Sequence, residues 1–199
     1  MTYSAKEKAR PSAFGQWVFE QTKGRRKGYS SVAIDPHERE AAMRRGVRDH
    51  NVIDQLKRIA NELVGTPSDY IPISHGEDGK PSLIASYLTF DGEPFRCRPD
   101  LVLRHISKEH IIIIGRKTTR QRRHINRDES WQNIEAQLWC YSYIDEWADV
   151  DNITLIGEIW FDFDRPAIEP FVWRKGEREH HQRCKRHFWR YGGTYRFGS

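Results

Sequence analysis

Residues 99–117 read PDLVLRHISKEHIIIIGRK and contain two apolar runs separated by a short polar turn. The first run is Leu101 to Leu103, and the second consists of the four isoleucines Ile111 to Ile114. Branched and aliphatic side chains favour strands, and a run without polar alternation is typical of a strand that is buried on both faces. Asp100 stands at one end of the first strand and Lys117 at the end of the next. We therefore expect their side chains to converge on one divalent cation and one phosphate.

The surrounding pattern predicts an α/β fold, a single domain with a mixed central β-sheet flanked by helices. Asp35, Pro36 and Glu38 form a helix start of the N-cap type, and Asp91-Gly92 predicts a hairpin turn. A helix that follows an antiparallel meander and leads into a further strand makes the sheet mixed. The predicted elements are a helix from Asp35 to Gly65, strands Ser82–Phe90, Phe95–Arg104 and His110–Thr118, a helix Ser130–Trp147, strands Ile153–Phe163 and Phe171–Trp173, and a basic helix from Gly176 onward.

The length of 199 residues suits one well-buried core and is short for two. We expect a basic N-terminal arm over residues 1–34, a core over residues 35–175, and a basic C-terminal helix and tail over residues 176–199. No apolar run is long enough to span a membrane, and the first ten residues lack a signal-peptide pattern. Three scattered cysteines favour a reducing compartment, so the expected location is the cytoplasm.

The net charge of +5 is a weak indication of nucleic-acid binding, and the distribution of the basic residues is more informative. A block without acids follows the second apolar run, and four of its arginines are expected to contact nucleic-acid phosphates: Arg120, Arg122, Arg123 and Arg127. A second basic stretch, residues 174–190, is interleaved with aromatic side chains. A solvated, charged surface is the alternative interpretation of both stretches.

Hydrolysis of a phosphodiester requires a divalent cation to polarise the phosphoryl group and a positive group to steady the developing charge. Mg²⁺ takes hard oxygen ligands, usually one or two carboxylates with water and substrate phosphate. Asp100 supplies one such ligand, the backbone carbonyl of Arg116 could supply another, and Lys117 is the cationic partner. Alone, Asp100 is better explained as a strand-end acid in a turn; its pairing with Lys117 favours the functional interpretation.

Two further motifs lie on the predicted helices: Gly46 to His50 has the spacing GxxxH, and Gln137 to Tyr141 has the spacing QxxxY. With Pro99-Asp100 and Lys117, these motifs follow one order along the chain. In that order the sequence resembles the PD-(D/E)xK nuclease superfamily and, within it, the RecB-like exonuclease branch. The resemblance covers residues 46–141 and implies a restriction-endonuclease-like αβββαβ core.

Carried over by position, the resemblance implies that His50 and Asp100 bind Mg²⁺ or Mn²⁺ together with the Arg116 carbonyl. It implies that Lys117 is the catalytic lysine. Gln137 and Tyr141 would face the same site, since residues four apart share one face of a helix.

The chain departs from this pattern at Gly115, where the family has an acid that binds the metal. Gly115 could replace an original Glu, since a glycine gains nothing for a strand. The acid could instead have moved to Glu135, although that residue would point away from the Gln137 face. A third explanation is a natural relative that binds nucleic acid without cleaving it.

The segment from His180 to His187 also contains metal-ligand residue types, and Cys184 and His187 have ligand spacing. A structural zinc site needs four placed ligands, and an iron–sulfur cluster needs four cysteines. We therefore favour a basic helix that faces nucleic acid for this segment.

These patterns together predict a Mg²⁺- or Mn²⁺-dependent deoxyribonuclease, an exonuclease of DNA repair, recombination or defence, weak or inactive because of Gly115. Its partners would be DNA, single-stranded or duplex, and proteins of such a complex, with no membrane. The alternative is a catalytically dead, nuclease-fold DNA-binding or scaffold subunit of a larger complex.

Overall fold

The computed structural model describes residues 4–23, 69–75, 82–119, 132–161, 165–166 and 170–197. Its helices are α1 (Ala5–Lys8), α2 (Pro11–Lys23), α3 (Gln132–Tyr141) and α4 (Arg178–Tyr191), with a 3₁₀ turn at Asp145–Trp147. Its strands are β1 (Tyr70–His75), β2 (Leu83–Phe90), β3 (Glu93–Cys97), β4 (Leu101–His105), β5 (Ile111–Thr119), β6 (Ile153–Phe161), β7 (Arg165–Pro166), β8 (Phe171–Arg174) and β9 (Gly193–Tyr195). The predicted helix from Asp35 to Gly65 lies outside the described residues.

Six strands form the central sheet, in the order β1-β4-β5-β6-β7, with β8 also pairing with β6. The isoleucine run forms β5, which is antiparallel to β4 and parallel to β6. Helix α3 lies in the connection between the parallel strands, as such a crossover requires. The predicted α/β class and mixed central sheet are thus confirmed.

A smaller sheet has the order β3-β2-β9. Asp91 and Gly92 connect β2 to β3 with φ angles of 51° and 80°. Two successive positive φ angles are the signature of the type I′ turn, whose twist matches that of the flanking strands. The predicted hairpin at Asp91-Gly92 is therefore confirmed.

The prediction of one strand from Phe95 to Arg104 is wrong. The chain leaves the small sheet after β3, passes Pro99, and enters the central sheet as β4. Pro99 has no N–H to donate to a ladder, so it suits the change from one sheet to the other. This break places Asp100 immediately before the first residue of β4.

The described part of the predicted N-terminal arm is helical and belongs to the core. Phe14 and Val18, one turn apart on α2, are buried in the main apolar cluster with Leu138 and Trp139 of α3. The two helices approach closely at Gly15, and a methyl group there would lie 2.7 Å from the Asn133 carbonyl oxygen. We predicted an arm here because residues 1–34 are rich in basic side chains, and the apolar pair Phe14 and Val18 was not recognised as part of a buried helix.

The two faces of β5 bury different clusters. Ile111 and Ile113 face the main cluster with α3, whereas Ile112 and Ile114 pack in a second cluster with residues of β1, β4 and β6. Alternation continues along the strand, so Gly115 and Lys117 face α3, and the side chain of Arg116 lies on the other face.

His110, which immediately precedes β5, connects this strand to β1 and β6 at the end of the central sheet away from Lys117. The ring nitrogens of His110 lie 2.7 Å from the Tyr70 hydroxyl and 2.9 Å from the Thr154 hydroxyl. Burial, followed by the nearby charges of His105, Arg174 and Lys108, lowers the pKa of His110. The connection therefore favours the neutral imidazole, which can accept one hydrogen bond and donate another.

The predicted C-terminal helix is present as α4, which buries His180, Cys184 and Phe188 at intervals of four residues. It ends at Gly192, whose φ of 97° is left-handed. The expected tail then forms β9 against β2. Across the described elements, the helices are too short or too polar to cross a bilayer.

Candidate functional site

Asp100 lies where β4 and β5 come together. Its carboxylate accepts a hydrogen bond of 2.7 Å from the backbone N–H of Arg116. Leu101 pairs with Ile114 in the antiparallel ladder, so the next step of the same register places Asp100 opposite Gly115. Directly opposed residues project to the same face with Cβ atoms about 4.5–5.5 Å apart. An acid at position 115 would therefore stand beside Asp100, at a spacing that suits two ligands of one ion.

Lys117 and Tyr141 lie within the electrostatic reach of Asp100. Burial lowers the pKa of Lys117, and the negative charge of Asp100 opposes that shift. Burial, and then the charge of Asp100, raises the pKa of Tyr141 well above its usual value. Near the Asp100 carboxylate there is thus a lysine whose pKa is lowered and a tyrosine whose pKa is raised, so that the tyrosine keeps its proton.

The position of the absent acid is filled by a neighbour. A Cβ atom at Gly115 would lie 3.2 Å from the Cδ2 atom of Leu138 on α3. That contact is tight, but it involves the end of a flexible side chain, so Leu138 need move only by tenths of an ångström. A glutamate is therefore compatible with the backbone at position 115.

Gln137 lies one turn before Tyr141 and is almost fully buried. Its Nε2 atom would be 2.9 Å from a Cβ atom at Gly15, so its amide packs against α2. Among the hydrogen bonds of the described residues, none joins this amide to Lys117, and the expectation that Gln137 holds the lysine or a phosphate stays a prediction.

The side chain of Arg116 does not face this group. It forms an ion pair of 3.0 Å with Glu158, its partner in the parallel ladder between β5 and β6. Both side chains are buried. Glu158 was missed from the sequence, although an acid within the apolar strand ITLIGEIWF is a signal of a paired or functional charge. The expected role of the Arg116 carbonyl as a metal ligand stays a prediction.

Several predicted site residues lie outside the described residues: His50, Arg120, Arg122, Arg123 and Arg127. Their roles stay as the sequence predicts them.

The idea that Glu135 replaces the absent acid is wrong. Its carboxylate accepts hydrogen bonds of 3.0 Å from the Nε of Arg183 and lies 3.0 Å from the Nδ1 of His180, both on α4. Because Glu135 is two positions before Gln137, about 200° around the helix, it projects away from the side of α3 that bears Gln137. Its partners place it at the contact between α3 and α4.

That contact contains a group of metal-ligand side chains that the sequence interpretation missed. Ligand atoms of Glu135, His180 and Cys184 all lie within 4.8 Å of one another. Among the described residues, these three side chains form the group that could hold a metal ion. His180 and Cys184 have the helical spacing of four, which was a visible signal. Their partner Glu135 is 45 residues away from His180, so spacing along the chain could not reveal it.

The outer side of α4 bears a basic groove of about 590 Å³. Its lining comprises Arg178, Glu179, Gln182, Arg183, Arg186, His187 and Arg190. Trp189, 56% exposed, projects from the same helix with the Lys185 ammonium 5.0 Å from its ring centroid. An arginine-rich groove beside an exposed indole has the chemistry to bind phosphates and a stacked base.

No family model matches the sequence, and no curated protein matches it. Among solved structures, the chain is similar to the protein described as SSO0001, with a TM-score of 0.41 and 14% sequence identity. The match covers 91% of this chain and 74% of SSO0001.

Proposed function

We propose that the chain has the site of a Mg²⁺- or Mn²⁺-dependent deoxyribonuclease, with cleavage that is weak or absent while glycine occupies position 115. The observation that supports the proposal is the position of Asp100, which accepts a hydrogen bond from the Arg116 N–H and lies opposite Gly115 in the extended ladder. Lys117 and Tyr141 are near enough for its charge to affect their pKa values. These groups come from two strands and a helix, and their types are those that hydrolysis of a phosphodiester requires.

Each side chain has a definite task in this proposal. Asp100 would bind the cation through an oxygen, as Mg²⁺ prefers. The cation would polarise the phosphoryl oxygen and lower the pKa of a bound water. Lys117 would orient that water or stabilise the charge that develops on the phosphate, and the Tyr141 hydroxyl would donate to a phosphate oxygen. The basic groove on α4 would contribute phosphate contacts that do not depend on base sequence.

A specific observation favours a second candidate, a DNA-binding or scaffold subunit that does not cleave. Leu138 packs over Gly115, so the position of the absent acid is occupied by apolar contact. The basic groove on α4 could bind DNA regardless of the state of the Asp100 site. The two candidates share a partner and differ in chemistry.

The test is a metal-dependent cleavage assay on labelled single-stranded, duplex and branched DNA, with the given chain compared to Gly115→Glu. We expect Gly115→Glu to cleave at least about a hundredfold faster with Mg²⁺ or Mn²⁺, since about 3 kcal/mol of transition-state stabilisation is a modest contribution for a metal ligand. Gly115→Glu combined with Lys117→Ala is the matched control and should be inactive. Equal, background-level cleavage by both chains on every substrate would support the binding subunit and refute the nuclease.

DNA binding is tested separately from cleavage by its salt dependence in EDTA. Each phosphate contact contributes a slope of about −0.9 in log affinity against log salt on duplex DNA. We expect Arg186→Gln and Arg190→Gln each to weaken binding of all sequences alike and to reduce the slope by about one. Lys6→Gln, on the exposed helix α1, is a control that removes one positive charge elsewhere. If it has the same effect as the α4 variants, the groove is not the binding surface.

A further inference from the structure

Three side chains at the contact of α3 with α4 direct their donor atoms toward one point. Glu135 comes from α3, and His180 and Cys184 come from successive turns of α4. Their exposed fractions are 2%, 1% and 2%, so none of the three donors is solvated. Buried groups of this kind are stable when they are paired with each other or bind a metal.

The distances within this cluster are close to those around a tetrahedral zinc ion. The Nδ1 of His180 lies 3.0 Å from an oxygen of Glu135 and 3.8 Å from the sulfur of Cys184. With metal–nitrogen and metal–oxygen bonds of about 2.0–2.1 Å and a metal–sulfur bond of about 2.3 Å, tetrahedral angles place nitrogen about 3.3 Å from oxygen and about 3.5 Å from sulfur. Shifts of a few tenths of an ångström would therefore bring the three atoms onto one ion.

Hydrogen bonds within the cluster satisfy only some of its donor and acceptor atoms. One proton on Nδ1 of His180 can satisfy the Glu135 carboxylate, and it then points away from the sulfur. Arg183 donates to the carboxylate alone. Among the hydrogen-bond contacts of the described residues, the Cys184 sulfur has the one of 3.8 Å to the ring. A metal ion would engage all three donors at once, while Arg183 holds the carboxylate in position.

We propose that Glu135, His180 and Cys184 bind one thiophilic divalent transition-metal ion, with Zn²⁺ as the best match. On binding, the Cys184 thiol loses its proton to solvent, and the proton that Nδ1 of His180 donates to Glu135 is transferred to Nε2, so the ring stays neutral. The sulfur, the freed Nδ1 lone pair and a Glu135 oxygen then each form a bond to the ion. One thiolate and one carboxylate neutralise the two positive charges of the ion. Three protein ligands leave a fourth tetrahedral position for water.

The thiolate distinguishes this site from the one around Asp100. Sulfur ligands select zinc and related ions, whereas Mg²⁺ and Mn²⁺ take oxygen ligands. The proposed ion joins α3 to α4 and so holds the helix that bears the basic groove. The proposal does not depend on the nuclease site and would stand if that site were inactive.

The decisive experiment uses the full, untagged chain carrying Asp100→Asn, which removes the candidate Mg²⁺ ligand. The chain is stripped with a chelator, loaded with Zn²⁺ and studied by zinc X-ray absorption. We expect one retained equivalent with a sulfur neighbour at about 2.3 Å and nitrogen or oxygen neighbours at about 2.0–2.1 Å. Failure to retain zinc, or a spectrum that contains no sulfur neighbour, would overturn the proposal.

Variants then assign the ligands with Co²⁺ as a coloured substitute for zinc. Cys184→Ala should abolish the near-ultraviolet band of thiolate-to-cobalt charge transfer, and His180→Ala should weaken binding at least about tenfold. Cys140→Ala is the matched control, since Cys140 is a buried helical thiol outside the cluster, and it should keep the band. A band that survives in Cys184→Ala would show that another thiol is the ligand.

Zinc should also stabilise the fold. At a free concentration a hundred times the dissociation constant, mass action predicts a rise in Tm of roughly 5–10 °C for a chain of this size. An equal rise in Cys184→Ala and in the parent chain would count against the assigned site.

Discussion

Replacing Gly115 by glutamate would place a second carboxylate beside Asp100, and the metal dependence of stability should reveal it. Position 115 is opposite Asp100 when the ladder of β4 and β5 is extended by one step. The new side chain would also face Lys117, which lies two residues later on the same face. The variant would thus contain two acids and one lysine in a partly buried site.

The magnitude follows from the spacing. Two unit charges about 5 Å apart repel by about 3 kcal/mol at an effective dielectric constant of 20. Contact with Leu138, which is 3.2 Å from the Cβ position, adds about 1 kcal/mol. Removing a glycine from a strand returns roughly 0.5–1 kcal/mol. Attraction to Lys117 offsets part of this repulsion, so without a cation the variant should be less stable by up to about 3 kcal/mol, or up to about 6–12 °C in Tm.

The assay is thermal unfolding of the given chain, Gly115→Glu and Gly115→Gln, each in EDTA and in saturating Mg²⁺. Glutamine has the same shape without the charge, so it should show only the small packing cost and no response to Mg²⁺. Glutamate should recover most of its lost stability when the ion binds between the two carboxylates. If glutamate and glutamine behave alike in both solutions, position 115 is not beside Asp100 and the metal geometry is wrong.

Three further predictions concern the scaffold. Gly15→Ala should lower the free energy of unfolding in urea by about 1–3 kcal/mol, because the added methyl meets backbone at the contact of α2 with α3. The control, exposed Gln16→Ala, should stay within about 0.5 kcal/mol of the parent chain. Equal losses in the two variants would contradict the close approach of α2 and α3 at Gly15. The lowered pKa of His110 means that its neutral form stabilises the fold above pH 6.5 and that this contribution is lost as the pH falls through the folded-state pKa. Guanidinium midpoints between pH 7 and pH 5 should therefore fall more steeply for the parent than for His110→Gln, and parallel slopes would refute the assignment. Glu158→Leu should lower the free energy of unfolding by about 3–5 kcal/mol, because the buried charge of Arg116 loses this carboxylate. Adding Arg116→Met should recover much of that loss. A double variant as unstable as the single one would contradict the pairing.

The elements that could be predicted from sequence are those whose signal is local. Four branched residues in a row form β5 because no other local structure suits them as well, and Asp91-Gly92 forms a turn because both residues tolerate positive φ. Asp100 and Lys117 were found because each stands at the end of such a strand. Their proximity then follows from the pairing of neighbouring strands.

The errors arose where a tertiary contact outweighs the local pattern. β1 was missed because Pro72 weakens a strand pattern and because Ile71 and Ile73 are exposed at an edge of the sheet. Helix α2 was missed although Phe14, Trp17 and Val18 have the spacing of one helical face, because the basic residues of this segment favoured its interpretation as an arm. The passage of the chain between two sheets at Pro99 depends on partners that are distant in sequence.

The cluster of Glu135, His180 and Cys184 could not be predicted from the sequence for the same reason, since it depends on a tertiary contact. Two of its members have helical spacing, but their third partner belongs to another helix. The packing of α3 against α4 brings them together, and no motif along the chain contains all three.

The most direct test of the central claim is a Mn²⁺ soak of crystals of the given chain and of Gly115→Glu. We predict an anomalous peak coordinated by the Asp100 carboxylate in Gly115→Glu, joined there by the new glutamate and close to Lys117, with weaker occupancy in the given chain. Crystals of Gly115→Glu in which manganese is absent from Asp100, or bound only at other groups, would contradict the proposed metal site.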